Sequence, residues 1–356
     1  MTKSLILQGP MVSTGYGITT SYVHKNLIKK GIDVSCFPIQ ISNDFYTDAE
    51  IKDVYQSRYN YNVDDPFIKI FHPLELSTRI GKGEYIGFPF FEIDYFDDLE
   101  KKNLINCDKL FASSEWGKRI LEDKIKHNNV DVIPLGVDLE IFDHKKYQKR
   151  NNSKYVFCTI GKWEIRKCHD ILLNLFETAF SQKDDVELWV CASVSNAYNT
   201  PEETMKWEAV YKSHKLASKI KIIPPQTDHA AIAHLISQTD CGLYPSRAEG
   251  WNLELLETMA MNKPVIASNY SAHTEFCNKE NSYLIDIDET CPAHDGKFFT
   301  GQSNWAKIGQ KQIDQIVEYM RYLYSNNIRE NSNGVKTGQI FSWSNTADKI
   351  INSVYH

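Results

Sequence analysis

The chain has 356 residues, a length that predicts two domains of ordinary size. Its 42% hydrophobic and 24% charged residues are globular composition, which excludes a disordered or fibrous chain. The net charge of -6 advertises no surface for a polyanion and speaks against nucleic acid as a partner, while leaving room for a local basic pocket.

In chain order, Ser4 to Leu7 reads as a short strand, a loop through Gly9-Pro10 and Ser13-Thr14-Gly15-Tyr16-Gly17 follows, and Ile18 to Lys30 has helical spacing ending at Gly31. Ile32 to Pro38 is the next strand, so the chain opens with a βαβ unit and predicts a parallel sheet. Further strands are predicted at Phe67 to Phe71, Tyr85 to Phe88, Lys109 to Ala112 and Val130 to Ile133. The polar, basic stretch 144–153 is the linker candidate. A second α/β series starts at Tyr155 to Ile160 and continues with strands at Val186 to Cys191, Ile220 to Ile223, Cys241 to Tyr244 and Pro264 to Ala267. Ser344 to Val354 would be a terminal helix. The expectation is an α/β protein of two doubly wound Rossmann-like domains, 1–145 and 153–343, which bind ligand in a cleft beside the strand C-termini.

Eight cysteines stand at 36, 107, 158, 168, 191, 241, 277 and 291, with no CxxC spacing and no zinc-like pairing with histidine. They read as reduced, mostly buried thiols. Leu5-Ile6-Leu7 is too short for the apolar core of a signal peptide, and no stretch approaches the ~20 apolar residues of a membrane span. A soluble, cytoplasmic protein is expected. Asp64-Asp65 and Asp97-Asp98 lack the intervening residue of a DXD metal motif and are read as solvated, so no metal site is predicted.

The most informative string is Pro245-Ser246-Arg247-Ala248-Glu249-Gly250-Trp251-Asn252-Leu253, which follows a predicted strand, opens a helix and reaches Glu257 eight residues after Glu249. Backbone N–H groups at such a helix start suit a phosphate, and two separated carboxylates suit sugar hydroxyls. Lys162, Arg166 and Lys167 crowd the loop after the first strand of the second series. At ~4 Å and an effective dielectric near 20, each charge pair with a diphosphate is worth about 4 kcal/mol before desolvation. A helix N-terminus gives only about 0.3–1 kcal/mol, so the cations should dominate phosphate affinity.

Glu249-Gly250-Trp251-Asn252-Leu253 through Glu257 resembles the E-x7-E motif of the family-4 retaining glycosyltransferases, which have the two-domain GT-B fold. The resemblance continues through Lys263-Pro264-Val265-Ile266-Ala267-Ser268 and, more weakly, into the first domain. It implies that Glu249 approaches the donor sugar, Glu257 holds the nucleotide ribose, Gly250, Trp251, Asn252 and Leu253 line the donor, and Lys167 matches the family lysine. The family's usual glycine is replaced by Asn252 and by Cys168, its usual arginine by Lys162, and Arg166 is a substitute cation. Gly15 and Gly17 resemble the family's glycine-rich loop near the donor phosphates. Taken alone, they are half of a dinucleotide fingerprint, without the third glycine or the ribose acid that a nicotinamide enzyme needs. The histidine that many members carry after a middle strand is absent from Gly87-Phe88-Pro89-Phe90-Phe91-Glu92, which leaves Glu92 as the candidate polar group and His72 as a second, more structural one.

The resemblance also implies that the last helix, 344–356, returns to the first, acceptor-binding domain. The implied reaction is retaining, metal-independent transfer from a UDP- or GDP-sugar, with no cofactor, to a hydroxyl of a glycan or small-molecule acceptor, the catalytic groups being Glu249, Lys162, Lys167 and Glu92. The alternatives are a nucleotide-sugar epimerase of similar fold, a binding protein without chemistry, and transfer to a modified nucleic-acid base, which the acidic balance disfavours.

Overall fold

The computed structural model describes residues 3–148, 153–193, 200–226 and 228–356. Contacts divide them into two units, Met1–Gly136 with Phe341–His356, and Val137–Ile340. The boundary after Gly136 lies upstream of the basic stretch read as a linker. His144–Lys146 forms a 3₁₀ turn that belongs to the second unit, and 149–152 lie outside the described residues.

The first unit runs β1 (Ser4–Met11), α1 (Gly15–Lys29), β2 (Asp33–Ile41), α2 (Asp48–Ser57), β3 (Phe67–Ile70), β4 (Tyr85–Phe88), α3 (Asp98–Ile105), β5 (Lys109–Ala112), α4 (Glu115–Ile120) and β6 (Val130–Val132). The six strands pair in parallel in the order β2-β1-β3-β4-β5-β6, so the order reverses between β1 and β3. Strands β3 and β4 are buried on both faces, as central strands of a parallel sheet are, and the one charged residue in them, Lys69, is buried and donates to Thr78 Oγ1 at 2.6 Å. The helix α1 starts at Gly15 rather than Ile18, capped by Thr14, whose hydroxyl accepts the Gly17 N–H at 3.2 Å. Gly15 and Gly17 therefore lie in its first turn, not in the loop before it. The helix α2 was not foreseen. It carries a capping box between Thr47 and Glu50 and buries only Val54, so it has almost no apolar stripe to read.

The second unit runs β7 (Tyr155–Lys162), α5 (Leu172–Ala179), β8 (Val186–Ser193), α6 (Pro201–Lys212), β9 (Ile220–Ile223), α7 (His229–Ser237), β10 (Cys241–Tyr244), α8 (Leu253–Ala260), β11 (Val265–Ser268), β12 (Tyr283–Ile285), β13 (Thr290–His294), β14 (Thr300–Ala306), α9 (Gln310–Ser325) and α10 (Ser332–Ile340). Its parallel sheet has the order β12-β11-β10-β7-β8-β9, a doubly wound arrangement that reverses between β7 and β10. The two loops that carry the sequence motifs leave the C-terminal ends of these two adjacent strands. One side of the sheet packs Tyr155, Phe157, Phe176, Phe180 and Tyr211 with Ile316, Met320 and Leu323 of α9. The antiparallel hairpin β13–β14 is an addition that the sequence did not announce. The last helix, α11 (Trp343–Tyr355), belongs to the first unit. There Trp343 stacks on Tyr22 at 5.2 Å, Thr346 donates to Pro134 O at 2.8 Å and Tyr355 donates to Ser4 O at 2.6 Å.

Seven of the eight cysteines are buried and all are free. Among the described residues, no helix is long and apolar enough to cross a membrane. One of the acid pairs departs from the solvated reading: Asp65 is buried and accepts a hydrogen bond from Ser4 Oγ at 2.8 Å, because it anchors the loop leading into β3. Asp97 caps α3.

Candidate functional site

The reversal between β7 and β10 places the segment after Lys162 beside the segment after Tyr244. A backbone bond and a side-chain ion pair join them: Arg247 N–H donates to Arg166 O at 2.7 Å, and the Arg247 guanidinium grips the Asp170 carboxylate with two bonds of 2.8 Å. The Cys168 thiol adds a contact to Pro245 O at 2.9 Å.

Glu249 is the centre of this junction and is only 4% exposed. Its Oε2 accepts from Arg166 Nη1 at 2.5 Å, and its Oε1 from Lys167 Nζ at 2.9 Å and Ser246 Oγ at 2.8 Å. Its own N–H donates to Ser271 Oγ at 2.8 Å. Burial works against the charged form, but Arg166 and Lys167 outweigh it and hold the carboxyl well below the usual carboxylate range. The same contact raises the Lys167 ammonium above its ordinary value, overcoming the opposing effect of burial. At neutral pH the group is an ion triad.

The cations are not equivalent. Arg166, read from sequence as a phosphate-facing group, is buried and turned inward: it also donates to Ala248 O at 2.7 Å and, through Nη2, to Glu164 at 2.7 Å. Lys162, at the end of β7, is half-exposed and stands 4.0 Å from Glu164. Lys167 lies against Gly161, where an added Cβ would come within 2.6 Å of its Cδ.

The helix α8 begins with Asn252 as its N-cap, in left-handed backbone at φ 85°. Cys168 is also left-handed, at φ 65°. These are the two positions where the resembled family has glycine, and the backbone supplies the reason, since only glycine adopts this region without cost. Asn252 Oδ1 accepts the Leu255 N–H at 3.3 Å, and its Nδ2 meets His273 Nε2 at 2.9 Å. His273 Nδ1 lies 3.1 Å from Ser268 O, which can only accept, so Nδ1 carries the proton and Nε2 accepts from Asn252. Burial pushes the His273 pKa down to about 4, which keeps the ring neutral. Trp251 is buried on Phe276, with ring centroids 4.8 Å apart, and Leu253 is the first, buried residue of α8. Gly250 lies in the turn between Glu249 and Trp251.

Glu257 is buried on α8, with Oε1 4.0 Å from His229 Nδ1 on α7. Burial, reinforced by Glu254 and Asp138, raises its carboxyl well above the usual range. The two motif acids thus sit in opposite environments, one ionised by cations and one driven toward its protonated form.

Gly15, Gly17, Glu92 and His72 belong to the first unit. A Cβ on Gly17 would lie 2.0 Å from Val12 O, whereas Gly15 faces open space. Tyr16, between them, donates to Phe90 O at 2.9 Å and packs on Phe71 and Phe90. Glu92 is half-buried in the turn after β4, and His72 caps a 3₁₀ turn by accepting the Leu74 N–H at 3.3 Å. Sequence reasoning gave no role to Ser246, Arg247 or Ser268. The signal available was Asn252 itself, since a side chain at a glycine position needs a partner.

Residues 140–290 match the family described as glycosyl transferases group 1. A protein of Haemophilus influenzae (strain ATCC 51907 / DSM 11121 / KW20 / Rd), described as an uncharacterized glycosyltransferase, is 26% identical over 182 residues. That alignment covers 51% of this chain and 48% of the relative, so the chain spans about half the length of the curated relative it matches. Among solved structures, a glycosyltransferase from Rickettsia africae ESF-5 superposes with a TM-score of 0.72 at 15% identity, over 99% of this chain and 97% of that one. Sucrose-phosphate synthase from Thermosynechococcus elongatus gives 0.71 at 14% over 98% of each chain. Anabaena HepE in complex with UDP and glucose gives 0.70 at 13% over 99% of each. The fold is GT-B, with two Rossmann-like domains.

Proposed function

We propose, on the premise that residues 140–290 form a group 1 glycosyl transferase domain within a GT-B fold, that this chain is a retaining glycosyltransferase using a nucleoside diphosphate sugar. The observation that carries the reading is the Glu249 carboxylate held between Arg166 and Lys167 where the sheet order reverses, since open α/β sheets bind ligands at that point. The complex of HepE with UDP and glucose supports a UDP-sugar as the first donor to test.

In this reading Lys167 and Lys162 meet the diphosphate, without a metal or cofactor, and stabilise the negative charge that builds as the bond from sugar to phosphate breaks. Glu249 orients the sugar and does not attack it. The acceptor hydroxyl attacks the sugar carbon from the face the diphosphate leaves and gives its proton to the departing phosphate oxygen, so configuration is retained; the first unit is the acceptor-binding one in this reading, with Glu92 as its candidate polar group. Glu257, driven by burial toward its protonated form, can in that form donate as well as accept a hydrogen bond at the ribose. A glycan or small molecule is the acceptor class.

The test is a thermal-shift screen with UDP, GDP and their common sugars, followed by transfer assays on Glu249→Gln. A shift with one nucleotide and a transfer rate reduced at least 100-fold are expected. Undiminished transfer by Glu249→Gln would reject the role of Glu249, and no shift with any nucleotide would reject the enzyme reading.

A further inference from the structure

The ion triad is asymmetric, and the asymmetry separates its two cations by task. Lys167 meets Glu249 through its ammonium alone, at 2.9 Å. Arg166 is anchored on several sides: Nη1 bridges Glu249 at 2.5 Å and Ala248 O at 2.7 Å, Nη2 holds Glu164 at 2.7 Å, and its carbonyl receives the Arg247 N–H at 2.7 Å. It therefore grips the segment 247–249 by side chain and backbone together. A planar guanidinium in such a buried fork stays in place, whereas an ammonium on a four-carbon stem can exchange partners.

We propose that Arg166 is a positioning residue that holds Glu249 in place and ionised while Lys167 leaves it for the donor diphosphate. This rests on the function proposed above and deepens it. In the structure Glu249 shares its two oxygens between the cations. When a diphosphate draws Lys167 away, Oε1 keeps the Ser246 hydroxyl at 2.8 Å and Oε2 keeps Arg166, so the carboxylate neither turns nor takes up a proton. Replacing glycine by Cys168 fits the same division of labour: its thiol binds Pro245 O and ties the end of the cation loop to the start of the segment that Arg166 holds.

The experiment compares Arg166→Gln, Arg166→Lys and Lys167→Gln with the wild type. It uses whichever of UDP-glucose, UDP-N-acetylglucosamine and GDP-mannose the wild type turns over, measuring nucleotide release across pH and nucleotide binding by thermal shift. Arg166→Gln should lower kcat at least 10-fold with donor KM changed less than 3-fold. Its acid limb should move to higher pH, because Glu249 has lost a cation. Arg166→Lys should recover part of both effects, and Lys167→Gln should raise donor KM instead. An Arg166→Gln protein with raised KM and unchanged kcat would overturn the proposal by making Arg166 a phosphate ligand. One with unchanged kcat and pH profile but a lower Tm would overturn it by making Arg166 a structural brace. In both cases retained nucleotide binding leaves the glycosyltransferase reading standing, whereas a wild type that binds no nucleotide overturns both.

Discussion

Asn252 and His273 form a buried pair: the amide nitrogen of one lies 2.9 Å from Nε2 of the other, and Asn252 holds left-handed backbone at φ 85°. The side chain offsets a conformation that its own Cβ disfavours. Asn252→Ala keeps the strain and loses both the cap and the His273 contact, so a destabilisation of about 2–3 kcal/mol is expected in urea titrations. Asn252→Gly loses the side-chain contacts but removes the strain and should cost less than about 1.5 kcal/mol. Equal losses in the two variants would show that the cap, not the backbone, dominates.

Four histidines are buried and neutral: burial lowers His24, His229 and His273 to about 4 and His169 to about 3. Each folded-state pKa is depressed, so the unfolded chain takes up protons first as pH falls. Their stabilising contribution is complete above about pH 6.5, the unfolded value, and is lost between there and the folded values. Each group contributes a slope of up to about 1.4 kcal/mol per pH unit in that window. Unfolding free energy measured from pH 7 to pH 5 should therefore drop steeply, and His273→Gln should flatten part of the drop.

Glu257 has the opposite sign. Its folded carboxyl is raised, so its contribution is complete below the unfolded range near about pH 4.3 and is lost as pH rises through the folded value. Glu257→Gln removes this loss and should raise Tm at pH 8 relative to wild type, by about 1 kcal/mol or more of stability. The same variant should weaken nucleotide binding about 5- to 20-fold if Glu257 contacts the ribose, a loss of about 1–2 kcal/mol.

Gly161 leaves the space that the Lys167 stem fills. Gly161→Ala should displace Lys167 and raise donor KM roughly 10-fold, equivalent to about 1.4 kcal/mol, with a smaller change in kcat. Gly161 also holds φ 156°, a backbone conformation that side chains rarely adopt, so Tm should fall as well, and circular dichroism checks that the fold survives this strain.

The two glycines at the start of α1 offer a matched comparison. Gly17→Ala forces a Cβ onto the Val12 carbonyl and should destabilise the first unit by about 3 kcal/mol or more. Gly15→Ala meets nothing and should be neutral or slightly stabilising in a helix. Thermal denaturation of both variants checks the pair.

The parallel strands were legible because β3, β4, β7 and β10 are mostly apolar stretches between turn residues, and the motif loop was legible because it follows one of them. The elements that escaped notice lack such a signature. The helix α2 is nearly all exposed, β12 has three residues, and β13 contains Pro292. The candidate site was legible as a set of residue types but not as a pairing. Spacing places Glu249 and Arg166 at a ligand but does not show that they bond each other. Their contact exists because β7 and β10 are neighbours, a fact of strand order that local spacing does not encode. The glycine replacements at Asn252 and Cys168 were visible, but their physical meaning needed the backbone angles.

The return of α11 to the first unit has a consequence for biosynthesis. The segment Met1–Gly136 is synthesised before Val137–Ile340, but its unit also contains Phe341–His356, which is synthesised after it, while Val137–Ile340 is continuous. Until α11 arrives, Tyr22 lacks its stacked Trp343, and the Pro134 and Ser4 carbonyls lack the donors that Thr346 and Tyr355 supply. On the ribosome the order of maturation is therefore inverted: the later-made unit can close first, and the earlier-made one waits for the last helix to seal it.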